Sequence, residues 1–410
     1  MNKNVYLDHN ATTPVDPEVM NTMLPYFTEK FGNASSRNHL YGWEAEEAVD
    51  KARKTIAGEI NAASREIIFT SGATESMNLA IKGLAKSDAD SKKNHIVTNL
   101  IEHKAVLDVC KELENDGFDI TYLPVEKDGS IYPELVEIAI TDKTLMVIIM
   151  HANNELGTIN PLKKIGQICK KKKVYFVVDA AQSFAKIPID VNELNIDLLA
   201  ASGHKIYGPK GIGFLYMRRK PEIKLKALID GGSHEYGFRA GTVAVPLVIG
   251  IAKAVEIYGR NRKIENRKLT ILKNKLLEGI KDSIPDVIVN NSSENCLAHT
   301  LNITIPDVDA ETLLLAIGDE VACSTGSACS SSTLEPSHVL KAIGLNPEKA
   351  SSTLRLSVGR FNTDEEIQFA VEKIVSAAIR LKLVNVRPSI KTVPLKKQVD
   401  ETFEIIYEKK

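Results

Sequence analysis

The chain has 410 residues, 43% of them hydrophobic and 26% charged, more than one ordinary domain holds, which predicts two. With 52 basic and 53 acidic residues the formal charge is −1. Nothing in that balance calls for nucleic acid or a membrane, and the lysine clusters at 170–173 and 396–397 read as solvated faces. No apolar run approaches the roughly 18 residues of a membrane span. The first ten residues carry no signal core and no Arg-rich amphipathic stretch, and the five cysteines argue against a disulfide framework and for a reducing compartment. The expectation is a cytoplasmic protein, with a mitochondrial matrix protein lacking its presequence as the alternative.

Short apolar runs at 66–70 (EIIFT), 95–98, 119–123, 145–150, 174–178 and 197–200 predict strands. Several are continuous V/I/L/F runs, as buried parallel strands tend to be. Helical patterns at 75–86, 104–116 and 162–172 lie between them. The alternation predicts an α/β fold with a mostly parallel sheet, whose ligands sit beyond the carboxyl ends of the strands. From about Lys263 the texture changes. Leu269, Leu272, Leu276 and Ile280 form a helical stripe, and 300–305 and 352–358 read as alternating strands. Thr363 and Glu366 make a capping box before Ile367, Val371, Ile374 and Ala378. The expected division is a large domain over 15–260, a smaller α+β domain of 1–14 with 261–385, and a polar tail over 386–410.

The chemistry gathers at the strand ends. Strand VYFVV ends at Asp179, and the next ends at ASGHK, placing Lys205 26 residues on (205 − 179 = 26) at the mouth of a neighbouring strand. Alone, each reads as a cap carboxylate and a surface lysine. Together they suit pyridoxal phosphate: an aspartate keeps the pyridine nitrogen protonated and a lysine forms a Schiff base with the aldehyde. The 71–74 turn (SGAT) opening a helix offers free N–H groups and small residues to a phosphate. No Gly-Lys-Ser/Thr follows it, so a nucleotide P-loop is not supported. His103 follows another strand and can stack on a ring or move protons, and Asn154 is placed to bond a ring hydroxyl. Cys329 sits in STGSACSSS, small and polar surroundings that hint at an exposed, reactive thiol. Cys323 reads as a buried strand residue, and Cys110 and Cys169 as helical core. There is no CxxC pair, so no structural zinc is expected. Arg355 can form a fork to a substrate carboxylate.

In its segments YLDHNATTPVDP, FTSGATES, EHKAV, HANNELG, VDAAQS, SGHKIYGPKGIG, GGSHEYGFRAGT and SACSSSTLEPSHVL, the chain resembles the cysteine desulfurases of the class V aminotransferase family, from Tyr6 to about Phe361. The resemblance implies a fold type I pyridoxal-phosphate enzyme. In it Lys205 carries the cofactor, His103 stacks on the ring, and Asp179 pairs with the pyridine nitrogen. Gln182 bonds the ring hydroxyl, while Ala73, Thr74, Ser202 and His204 hold the phosphate. Thr242 would reach the phosphate of a neighbouring subunit, which implies a homodimer. Asn154 and Arg355 would hold the carboxylate of L-cysteine. Cys329 would take its sulfur as a persulfide, leaving alanine, and pass it to an iron–sulfur scaffold or another acceptor, with tRNA thiolation as a further destination. No resident metal is implied, although Cys329 can transiently ligate a cluster iron. The rival readings are another pyridoxal-phosphate reaction, such as transamination or selenocysteine lysis, and a non-catalytic assembly component. Cys323 departs from the small or β-branched apolar residue expected there, and the tail after about Leu381 matches the family poorly.

Overall fold

The computed structural model describes residues 4–87, 93–292, 294–325 and 337–386. Cys329 and the 388–410 tail lie outside the described residues. After the short strand β1 (Val5–Tyr6) come seven strands of one sheet: β2 (Ile67–Thr70), β3 (His95–Asn99), β4 (Asp119–Leu123), β5 (Thr144–Met150), β6 (Tyr175–Asp179), β7 (Leu198–Ser202) and β8 (Gly213–Met217). Their order is β2-β8-β7-β6-β5-β3-β4. The β7-β6-β5-β3-β4 run is parallel, and β8 is antiparallel to both its neighbours.

Every residue of β5 is buried. Val147, Ile149 and Val178 face a core shared with Val49 and Ile56 of the Leu40–Glu59 helix and Val248 of the Val245–Ser283 helix. Ile148 and Val177 face the other way, against Met77 of the Ala73–Ser87 helix and Val106 of the Lys104–Asn115 helix. The period-two alternation of side chains thus buries both faces, which is why these strands read as unbroken apolar runs. Cys110 and Cys169 are buried in these layers.

A second, antiparallel sheet runs β12-β13-β10-β9, formed by β9 (Ile288–Val289), β10 (Thr300–Thr304), β12 (Ser324–Thr325) and β13 (Thr353–Ser357), while β11 (Val321–Ala322) pairs in parallel with β1. Its core includes Val5, Leu7, Leu269, Leu276, Leu354, Ile367 and Ile374. The N-terminal strand therefore packs with the C-terminal third of the chain. Thr363 and Glu366 exchange the expected capping bonds, each at 3.3 Å.

Several details differ from the sequence expectation, among them the short strands β1, β9, β11 and β12 and the Leu40–Glu59 helix, which were not expected. Strand β8 was not among the expected strands, because its apolar run directly follows the glycine-rich GPKGIG. The change of texture near Lys263 falls inside one unbroken helix, Val245–Ser283, since no proline interrupts it there. Cys323 lies between β11 and β12 rather than in a strand, half-buried against the second core.

Candidate active site

The carboxyl ends of β5, β6 and β7 open onto a cavity of about 560 Å³. Ala73, Thr74, His103, Asn154, Asp179, Gln182, Ser202, His204, Lys205 and Arg355 all line it. Asp179 is the last residue of β6 and pairs in register with Ala200 of the neighbouring β7, whose end leads straight into a short 3-10 turn, Gly203–Lys205. Adjacent parallel strands thereby bring the aspartate and the lysine to one mouth.

Asp179 is buried and accepts the Ala181 N–H at 2.8 Å. Burial raises its pKa, while His103, that hydrogen bond and Lys205 pull it down. A carboxylate in this position gains from a cationic partner. Lys205 Nζ donates to the backbone carbonyls of Asn10 and, at 2.7 Å, of Ala11. His103 caps the Lys104–Asn115 helix, its Nδ1 accepting the Ala105 N–H at 3.1 Å, so the ring proton sits on Nε2. Behind it Glu102 is fully buried, accepting from Asn99 and from the Met150 N–H at 2.6 Å. Burial pushes Glu102 well above the ordinary carboxyl range, and its carboxyl joins the exits of β3 and β5.

The 71–75 turn leads into the Ala73–Ser87 helix, leaving its first N–H groups without intrahelical partners. Gly213 makes room for this turn: a Cβ there would stand 2.4 Å from the Ala201 carbonyl and 2.7 Å from Gly72 Cα. Ser202 and His204 complete this side. Burial, reinforced by Lys205, Lys210 and Lys186, brings His204 down to about 4, so it is a neutral imidazole, with Nδ1 3.1 Å from Thr12 Oγ1.

Opposite lies Arg355 of β13, only 2% exposed. Its Nη2 donates to Asp8 at 2.8 Å and its Nη1 to the Asn154 carbonyl at 3.3 Å, while Nε is buried with no hydrogen-bond partner among the described residues. That spare donor suits an anion entering the cavity. Thr242 is exposed and does not line this cavity; its neighbours Gly241 and Val243 line a small adjoining one with Ser71 and Gly211.

Both flanks of the segment that carries Cys329 reach this site. On one side Ser324 pairs with Arg355 in register. On the other, Ser337 donates to Glu155 at 2.6 Å and His338 Nε2 lies 3.0 Å from the Glu102 carbonyl. The flanks are tied to Arg355 itself and to the chain neighbours of Asn154 and His103.

Sequence reasoning left out Asp8, Asn10 and Lys210 as site residues. The YLDHNATTPVDP motif was the available signal for the first two, but nothing local tells where an N-terminal segment returns.

The donor set fits pyridoxal phosphate: free helix N–H groups with small residues for a dianion, a buried aspartate for a ring nitrogen, and a lysine for an aldehyde. Fold and site thus define an α/β enzyme built around a lysine–aspartate pair at adjacent strand mouths. The chain belongs to the class-V aminotransferase family, whose model matches residues 5–369; these are pyridoxal-phosphate enzymes. It is 50% identical over 378 residues to the cysteine desulfurase IscS of Rickettsia bellii (strain OSU 85-389), covering 92% of each chain. Among solved structures it is similar to a NifS-like protein (TM-score 0.85, 36% identity, 91% of this chain and 98% of that one). It is also similar to SspA in complex with cysteine (TM-score 0.77, 39% identity, 88% of this chain and 100% of that one).

Proposed function

We infer that the chain is a cysteine desulfurase, taking the sulfur of L-cysteine onto Cys329 and releasing L-alanine. The observation that carries this reading is the convergence of Asp179, Lys205 and Arg355 on one cavity, with the flanks of the Cys329 segment tied to its rim, in a chain half identical to cysteine desulfurases.

Lys205 would hold pyridoxal phosphate covalently. Asp179 would bond its ring nitrogen, His103 would stack on the ring and Gln182 would bond the ring hydroxyl. The 73–74 N–H groups, Thr74, Ser202 and His204 would bind its phosphate. Bound there, the group supplies an electron sink for the carbanion that forms when the substrate loses its Cα proton. The remaining work falls to the chain. Arg355 and Asn154 hold the substrate carboxylate and fix which bond of the amino acid is exposed. Lys205 Nζ would move the Cα proton, and His103 would be the second proton carrier. The Cys329 thiolate attacks the substrate sulfur; the S–S bond forms as the Cβ–S bond breaks. Protons then take the places vacated at Cβ and Cα, leaving alanine.

We propose the division into domains of 15–260 and of 1–14 with 261–385, and a homodimer in which Thr242 reaches the partner's phosphate site. The persulfide goes to an iron–sulfur scaffold protein or another sulfur acceptor. A reducing compartment such as the bacterial cytoplasm suits the described cysteines, all of which are free. Among the described residues no helix is long and apolar enough to cross a membrane.

The deciding experiment measures sulfide and alanine from cysteine in the presence of a thiol reductant. Cys329→Ala is expected to keep the yellow cofactor band and lose both products. Undiminished sulfide release from that variant would overturn the assignment.

A further inference from the structure

Lys186 is buried next to Gln182 of the cavity wall, and among the described residues no carboxylate hydrogen-bonds to it. Its Nζ stands 3.2 Å from His299 Nε2 and 3.5 Å from Gln182 Oε1. His299 is fully enclosed at the start of β10, and burial holds its pKa well below the ordinary value. It is therefore neutral, and its Nε2 accepts from the lysine. Gln182 lines the cavity, and its Nε2 donates to the Asn10 carbonyl at 2.8 Å. That same carbonyl accepts from Lys205 Nζ.

The contacts form one chain: His299, Lys186, Gln182, the Asn10 carbonyl and Lys205. Its polarity fixes the carboxamide. With a donor at Oε1 and an acceptor at Nε2, Gln182 has one satisfied orientation; flipped, it would set its NH2 against the lysine and its oxygen against the Asn10 carbonyl. A lysine in such a place needs a reason, because burying its charge is costly and a Met or Leu would fill the volume.

We propose that Lys186 is a positioning residue of the cofactor site, which locks the Gln182 carboxamide with its NH2 toward the Asn10 carbonyl and the cavity and ties that orientation to His299. It acts on the cofactor only through Gln182, and in doing so couples the β6 end of the large sheet to the entrance of β10 in the second sheet.

This rests on the pyridoxal-phosphate reading, and the test separates the two. Apoprotein is titrated with pyridoxal 5′-phosphate, following quenching of Trp43 fluorescence and growth of the visible band. Failure of the parent protein to bind would remove the cofactor reading itself. Given binding, Lys186→Met is expected to weaken it 5- to 10-fold, matching Gln182→Ala, and the double variant is expected to bind no more weakly than Gln182→Ala alone. Lys186→Gln, which can still donate to the Gln182 oxygen, is expected to bind within 2-fold of the parent. A structural role alone would lower thermal stability in all three Lys186 variants without this coupling. Parent-like binding by Lys186→Met, or losses that multiply in the double variant, would overturn the proposal. Should Lys186→Met not fold, Lys186→Gln decides: a loss as large as that of Gln182→Ala would overturn it equally.

Discussion

Asp8 holds Arg355: the carboxylate oxygen lies 2.8 Å from Nη2, and the pair bridges the segment after β1 to β13. The guanidinium is thereby oriented before any substrate arrives, with Nε spare. Arg355→Lys keeps the charge but replaces a rigid fork with a flexible point charge. The expected result is a KM for cysteine raised at least 10-fold, with kcat reduced less. Steady-state kinetics at saturating cofactor checks it, and an unchanged KM would remove Arg355 from the carboxylate site.

Asp179→Asn should preserve the fold, since an amide fills the same space and its oxygen can still accept from Ala181. It removes the charge that would keep a pyridine nitrogen protonated. Cysteine turnover is expected to fall by about 100-fold or more, the scale of losing one preorganised electrostatic partner of the charge that develops in the reaction. Stopped-flow absorbance together with product assay checks this.

Gly213→Ala probes the phosphate turn without touching a functional side chain. Its Cβ would drive into the Ala201 carbonyl and Gly72. Overpacking of this kind costs about 1–3 kcal/mol. Because Gly72 belongs to the 71–74 turn and Ala201 precedes Ser202 at the end of β7, cofactor affinity should fall along with stability. Chemical denaturation and apoprotein titration measure the two effects separately.

Histidines that the fold encloses contribute to acid stability, His9, His151 and His204 among them. Burial brings His9, His151 and His204 each down to about 4 from an ordinary 6.5. Between those values the unfolded chain binds more protons than the folded one, so stability is present above pH 6.5 and is lost as pH falls toward 4. Melting temperature should drop steeply across that window. A flat profile between pH 6.5 and 4 would contradict the burial of these rings.

Lys186 works at the alkaline end. Burial first, then Lys205, brings it down to about 7 from 10.5, while Glu265 opposes the shift; His299 also faces it. From pH 7 to 10.5 the unfolded chain again holds the extra proton, so stability should rise with pH through that range. Lys186→Met is expected to be more stable than the parent at pH 7 and to lose this rise. Denaturation midpoints at pH 7 and pH 9.5, compared between the two proteins, test it.

The parallel strands were legible because burial on both faces leaves unbroken apolar runs, and Asp179 and Lys205 because they close such runs. Lys186 was not: a lysine directly after FA in QSFAK carries no local sign of burial, and only His299, 113 residues away in the chain, reveals it. Asp8 was hidden for the same reason, since its partner Arg355 is 347 positions on. Residues whose meaning lies in a distant contact leave no periodicity behind. Strand β8 is a different case: GFLYM carries the apolar signal plainly, but glycines and a proline punctuate the sequence immediately before it.

The Val245–Ser283 helix buries Val248 and Ile251 in the first core and Leu269, Leu276 and Ile280 in the second. Thirty-nine residues at about 1.5 Å each make a rod of roughly 58 Å. Neither core can melt without fraying the rod that the other grips. Heating should therefore give a single calorimetric peak, and a cut near residue 260 would leave two fragments, each with a severed helix and an uncovered apolar stripe.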